Sequence, residues 1–230
     1  MAMFVRPILE AVRQLPEPEF RGVLIKSVAL AFAVFVVMLT VAMYFLSKFD
    51  YFQWKILDTL AQFAGGAGFL LVALILFPAL SGVFISLFLD DIATAVEQKH
   101  YPADAPGHDL KLYDSLLLSL RFTVVMVLLN LVALPLYLLF LIVTPVAMAL
   151  FYCLNGYLLA REYFELVSAR HLDVKGVWRA RKRNIWTIMP AGILLAFLMT
   201  VPVVNLIAPI IATAAMVHIF KELEASGKIA

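Results

Sequence analysis

The chain has 230 residues, of which 64% are hydrophobic, and a formal net charge of +2. Its mean hydropathy is +0.97, and soluble domains are only about 45–50% apolar, so the composition excludes an ordinary soluble protein. The single cysteine, Cys153, excludes an intrachain disulfide and a metal cluster built from cysteines. We expect neither a cofactor nor a nucleic-acid partner.

Four stretches contain no Asp, Glu, Lys or Arg: residues 27–47, 59–89, 122–160 and 184–220. A helix needs roughly 20 apolar residues to cross the hydrocarbon core of a bilayer. The first two stretches, of 21 and 31 residues, therefore predict one spanning helix each, at about 24–47 and 59–89. The third and fourth, of 39 and 37 residues, are long enough for a chain that enters the membrane, turns and returns.

The first 26 residues lack the apolar core of a cleavable signal peptide, because cations, acids and prolines are spread along them. The first apolar stretch is therefore expected to be a retained helix that also serves for targeting. The fold class predicted by all four stretches is an all-α integral membrane protein.

The positions of Lys and Arg distinguish two topologies, because these residues are enriched in short cytoplasmic loops. If 122–160 and 184–220 are hairpins, 16 cations lie on one side of the membrane and two on the other. If each is a single crossing, the cations divide nine against nine. We therefore predict hairpins at about 117–160 and 184–220, a cytoplasmic loop at 90–116 and cytoplasmic termini, within one domain of residues 1–230.

Prolines interrupt both hairpins, and proline disfavours helix continuation. The segment Pro-Val-Val-Asn at 202–205 predicts the turn of the second hairpin. The helices on each side would have about 12–18 residues, which is marginal for a crossing. The hairpins are therefore expected to span the membrane fully or to insert only in part.

Between the hairpins, apolar residues recur at three- and four-residue spacing, which is typical of an amphipathic helix. They are Tyr163, Phe164, Val167, His171, Val174 and Trp178. With the basic run at 179–183, this pattern predicts an amphipathic basic helix at 161–183, lying at the level of the lipid headgroups. Gly176 is a candidate break in it.

Several strings of residues resemble, in order and spacing, the CysZ-type sulfate permeases of the etoposide-induced membrane protein superfamily. They are V-E-Q-K-H-Y-P (96–102), N-G-Y-L-L-A-R-E-Y-F-E-L (155–166), A-R-H (169–171) and P-V-V-N-L-I-A-P (202–209). The resemblance covers about residues 20–222. It implies an oligomeric, all-helical protein of the bacterial inner membrane, with partly inserted hairpins, that takes up sulfate for cysteine synthesis.

The family's anion-site motif is Gly-Leu-Arg at the start of the first helix. The corresponding stretch here is Glu-Phe-Arg-Gly at 19–22, in which only Arg21 matches. One interpretation is a sulfate site formed by Arg21, Gly22 and Lys26, since glycine lets an anion approach the backbone. The other is a cationic anchor whose side chains reach toward the headgroups.

Further candidate donors to the anion are Arg121, Asn155, Arg161 and Asn205. Arg121 could line a pore mouth or mark the membrane interface. The two amides could bind the anion, or cap and bridge helices. Arg161 could bind it, or form a local ion pair with Glu165 four residues later. His171 and His218 are candidate protonation sites.

The resulting hypothesis is a channel-like permease for sulfate or a related oxyanion, which binds membrane lipids and forms homo-oligomers. No G-x-x-x-x-G-K-[ST] motif occurs in the sequence, so we expect no nucleotide hydrolysis. No catalytic arrangement is evident, and His100 and His108 lack metal-site spacing. The alternative is a membrane organiser that transports nothing and binds anionic lipid through the basic run at 179–183.

Overall fold

The computed structural model describes residues 2–46, 65–68, 84–85, 87–108, 112–139 and 144–229. Regular secondary structure within these ranges is helical, without a strand, which confirms the all-α class. The helices with assigned bounds are α1 (Ala2–Gln14), α2 (Pro18–Leu46), α3 (Leu89–His100), α4 (Leu112–Leu139), α5 (Thr144–Ser168), α6 (Val174–Met199) and α7 (Pro202–Ala225).

The chain divides into two compact units. The smaller unit is Arg21–Phe88 and the larger unit joins Met1–Phe20 to Leu89–Ala230. Most of the predicted second span at 59–89 lies outside the described residues. The same holds for the link at 140–143 inside the first predicted hairpin.

Three described helices are long and apolar enough to cross a membrane, over Pro18–Val41, Leu120–Leu139 and Val204–Ala225. Only 6% of the residues in the apolar segment of α4 are buried, whereas 72% of those in the apolar segment of α7 are buried. The apolar surface of α4 is therefore free to face hydrocarbon, where a helix satisfies its own backbone polar groups. The segment in α7 instead forms the centre of the larger unit.

Helix α7 packs against α1, α3, α5 and α6. The sequence pattern did not predict α1, yet Ile8, Ala11 and Gln14 are buried along one side of it. Their spacing of three residues is that of a helix face. This short amphipathic helix covers α7 and completes the core of the larger unit.

The predicted cytoplasmic loop at 90–116 differs from the structure in its first part, which is helix α3. Asp90 and Asp91 lie in the first turn and Lys99 in the last, where their charges complement the helix dipole. Ile92 and Val96 are fully buried. The loop therefore begins only after His100, the last residue of α3, and α3 itself packs against α7.

The predicted amphipathic helix at 161–183 is divided in two in the structure, because α5 ends at Ser168 and α6 begins at Val174. Asp173 stands between them as an N-cap, and its Oδ1 accepts a hydrogen bond from the Gly176 N–H at 2.8 Å. A cap of this kind starts a helix and does not continue one. The apolar residues Tyr163 and Phe164 are buried inside the protein, so this face packs against protein.

The turn of the second hairpin lies at residues 200–201, before the segment 202–205 in which the sequence predicted it. Pro202 is the first residue of α7, a position where its missing N–H needs no partner. Pro135, Pro190 and Pro209 lie inside helices. Helices α4 to α7 have 24–28 residues, more than the predicted half-helices.

Candidate functional site: a buried arginine pair

Helices α5 and α6 approach each other closely at three small residues, Gly156, Ala160 and Gly192. A Cβ placed on Gly192 would collide with the Gly156 carbonyl oxygen and would lie 2.6 Å from the Ala160 Cβ. Small residues permit such contact between helix backbones, as in other membrane helices. The approach fixes the position of α6 beside Arg161, the residue that follows Ala160.

One carboxylate lies between two buried arginines at this point. The Arg161 Nε–H donates a hydrogen bond to Glu165 Oε1 at 2.9 Å. The Arg181 Nε also lies 2.9 Å from that oxygen, but as an ion pair whose N–H makes no hydrogen bond. Arg181 Nη1 donates to the Tyr157 hydroxyl oxygen at 3.3 Å. We call these four residues the arginine-pair cluster.

The arginine-pair cluster contains one more positive than negative charge, although Arg161 is only 1% exposed. The Arg161 Nη2 is buried and has no hydrogen-bond partner in the described part of the chain. The same guanidinium stacks 5.5 Å from the centroid of the Phe122 ring. An excess of buried positive charge is costly, so this site would be stabilised by an anion with several acceptor oxygens, which suits guanidinium groups.

Of the predicted donors in the larger unit, the structure places Arg161 in the cluster and gives the others different surroundings. Arg121 is exposed and stacks on Trp178, with 5.7 Å from its Cζ to the ring centroid. Asn155 donates to the Phe151 carbonyl within its own helix at 2.9 Å. Asn205 is half-buried in the first turn of α7, whose N-cap is Val201 without a side-chain hydrogen bond.

The predicted site at Arg21, Gly22 and Lys26 belongs to the smaller unit and lies within α2. Arg21 and Lys26 are exposed. A Cβ placed on Gly22 would meet no atom within 4 Å. The open space and the two exposed cations remain compatible with either interpretation, an anion site or an interfacial anchor.

A second polar network joins α3 to the turn between α5 and α6. Arg170 Nη2 donates to Glu97 Oε2 at 3.1 Å and to the Thr94 hydroxyl at 2.8 Å. His171 Nε2 lies 3.0 Å from Glu97 Oε1. The His108 N–H also donates to the Arg170 carbonyl at 3.0 Å. The strings at 96–102 and 169–171 thus meet in space, although the sequence pattern predicts no role for Glu97 or Arg170.

Burial by itself would raise the pKa of Glu97, but hydrogen bonds from His171 and Arg170 outweigh it and lower the pKa to about 2. In the unfolded chain this carboxyl has an ordinary pKa of 4.5. The network therefore contributes its full stability above pH 4.5, and this contribution is lost as the pH falls toward 2.

We expect the free energy of unfolding to decrease with acid below pH 4.5 in the wild type, and less steeply in Glu97→Gln, which has no carboxyl to protonate. The measurement is denaturant unfolding in detergent, followed by circular dichroism across this pH range. Asp91→Asn, an exposed carboxylate on the same helix, is the matched control and should change the slope much less, because it loses only an exposed interaction with the helix dipole. Equal slopes in all three proteins would contradict the role given to Glu97.

A third network connects α1, the end of α3 and α7. Gln14 Nε2 lies 2.9 Å from His100 Nε2 and 3.0 Å from His218 Nε2. The Tyr101 hydroxyl lies 2.8 Å from His218 Nδ1, and burial raises the pKa of Tyr101 to about 12. His218 is only 2% exposed, so it is part of the protein interior.

Comparison with known proteins identifies the family to which these sites belong. A family model described as "Sulfate transporter CysZ/Etoposide-induced protein 2.4" matches residues 8–209. The match includes the arginine-pair cluster and the Glu97–Arg170 network. A comparison with curated proteins found no match. With most of its length matched and with helices apolar enough to span a membrane, the chain is a membrane protein of the sulfate transporter CysZ/etoposide-induced protein 2.4 family.

Proposed function

We propose that this protein is a permease for sulfate or a related oxyanion, and that its buried arginine pair binds the anion on its way through. The single observation that carries the proposal is the excess positive charge of the arginine-pair cluster, with Arg161 Nη2 unpartnered in the described residues. A tetrahedral oxyanion could accept hydrogen bonds from that nitrogen and balance the extra charge. The match to a sulfate-transporter family supports the same class of substrate.

The proposed transport is channel-like and independent of ATP. It is driven by the intracellular use of sulfate for sulfur assimilation and cysteine synthesis, and the protein acts as a transporter and not as an enzyme. In the hairpin topology, the bias of 16 cations against two supports cytoplasmic termini. A multi-pass protein of the bacterial inner membrane is what the resemblance to CysZ-type permeases implies. We also propose that the functional form is a homo-oligomer, as the resemblance to CysZ-type permeases implies.

The proposal is tested by uptake of radiolabelled sulfate into proteoliposomes that contain the purified full chain and no nucleotide. Liposomes without protein provide the blank. We expect saturable uptake above the blank, reduced by an excess of unlabelled sulfate. Uptake equal to the blank, from protein shown by circular dichroism to be helical, would contradict a permease and favour the membrane-organiser alternative.

A further inference from the structure

Two cations gather around one exposed tryptophan between α4 and α6. The Arg121 Cζ lies 5.7 Å from the centroid of the Trp178 ring, and the Lys182 Nζ lies 5.1 Å from it. Both cations are exposed, and Trp178 is 38% exposed. We call these three residues the Trp178 cluster. It is distinct from the arginine-pair cluster, whose Arg161 is buried.

The positive charge of the Trp178 cluster is not balanced by its own helices. The sequence of α6 contains no Asp or Glu, and it adds the exposed cations Lys175 and Arg179 within one turn of Trp178. The only acid in the sequence of α4 lies seven residues before Arg121. The surface therefore has a local positive potential that attracts an anionic group.

Exposed apolar residues continue from each cation along its helix. Val124 and Leu128, three and seven residues after Arg121, are 48% and 54% exposed. Trp186, four residues after Lys182, is 82% exposed. These spacings place each apolar residue on the same helix face as its cation. The cations of the Trp178 cluster are therefore followed directly by an exposed hydrophobic surface. On α4 this surface belongs to the segment Leu120–Leu139, which is apolar enough to span a membrane.

We propose that the Trp178 cluster binds the phosphate headgroup of an anionic phospholipid, whose acyl chain lies along Val124, Leu128 and Trp186. A small soluble anion would use the cations but leave the apolar surface uncovered. A phospholipid matches both the cations and the apolar surface, because its phosphate is followed by hydrocarbon chains just as the cations are followed by apolar residues. Tryptophan is suited to this depth because its ring is apolar and its N–H can donate a hydrogen bond.

The proposal is tested by native mass spectrometry of the detergent-purified full chain, titrated with a short-chain phosphatidylglycerol or the matching phosphatidylcholine. The wild type should bind the anionic lipid more tightly. The double variant Arg121→Gln/Lys182→Gln should weaken that binding by roughly twenty-five-fold, since each basic group near an anionic surface contributes a factor of about five. Binding of phosphatidylcholine should change little.

The matched control is Arg6→Gln/Lys228→Gln, which removes the same charge from two exposed positions elsewhere. Equal binding of the two lipids, equal losses in both double variants, or displacement of the lipid by equimolar inorganic phosphate would each overturn the proposal. If the first double variant is not monodisperse in gel filtration, the single variant Lys182→Gln replaces it. Its expected loss is about fivefold.

Discussion

The Glu165→Gln variant should lose about 3–5 kcal/mol of the free energy of unfolding, the range found when one member of a buried ion pair is removed. Glu165 is the carboxylate in contact with both Arg161 and Arg181. Without it, two guanidinium groups would remain in a site where Arg161 is 1% exposed and Arg181 is 8% exposed. Chemical unfolding in detergent, followed by circular dichroism, measures the loss.

Glu10→Gln is the matched control for Glu165→Gln. Glu10 also pairs with an arginine four residues away, at 2.8 Å from Arg6 Nε, but the Arg6 side chain is 75% exposed. Water solvates that guanidinium, and the other contact of Glu10, with His218 Nδ1, is long at 3.9 Å, so removing Glu10 should change stability little. If Glu165→Gln were as stable as the wild type, the two arginines would not depend on this carboxylate, and the charge balance described for the cluster would be wrong.

Gly192→Ala should destabilise the protein, although alanine is ordinarily favoured over glycine within a helix by about 1 kcal/mol. The new Cβ would meet the Gly156 carbonyl oxygen and the Ala160 Cβ. These contacts involve backbone and a rigid side chain, so α5 and α6 would have to separate. Overpacking of this kind typically costs about 1–3 kcal/mol, which exceeds the gain in helix propensity.

Gly22→Ala provides a control with the opposite expected sign. Gly22 is also inside a helix, but a Cβ there would have no neighbour within 4 Å. Only the helix-propensity gain should remain, so this variant should be slightly more stable than the wild type. Thermal unfolding of the two variants in the same detergent compares them directly. Stabilisation of both would show that α5 and α6 tolerate a wider separation than the structure indicates.

The long apolar helices could be predicted from the sequence because their cause is local, whereas α1 and α3 have no such stretch and were not predicted. Stretches without charged residues require helical backbone in a membrane, and α2 and α4 to α7 follow three of the four such stretches. Most of the remaining one, the predicted second span at 59–89, lies outside the described residues. The break between α5 and α6 lies inside the segment 161–183, which the sequence pattern predicts as one helix. The start of α6 is capped by a hydrogen bond from the Gly176 N–H to Asp173, whereas the apolar spacing in the sequence continues across the break. The spacing alone therefore predicted one helix.

The polar networks could be predicted only in part, because their partners are distant in sequence. The pair of Arg161 with Glu165 is four residues apart and was visible as a local ion pair. Arg181 reaches the same carboxylate only because the chain turns between α5 and α6. Arg170 reaches Glu97 across 73 residues. No periodicity connects such residues, so neither of these two contacts is predicted from the sequence.

Sulfate uptake by Arg161→Gln in proteoliposomes, compared with the wild type and with Arg6→Gln, tests the role of the buried arginine pair most directly. Glu165 keeps Arg181 as a partner at 2.9 Å, so Arg161→Gln should remain folded, as gel filtration and circular dichroism can verify. Its uptake should fall by roughly tenfold or more, since a charged hydrogen bond to the anion is lost. Arg6→Gln should transport at the wild-type rate. Wild-type uptake by folded Arg161→Gln would contradict a role for the buried arginine pair in sulfate transport.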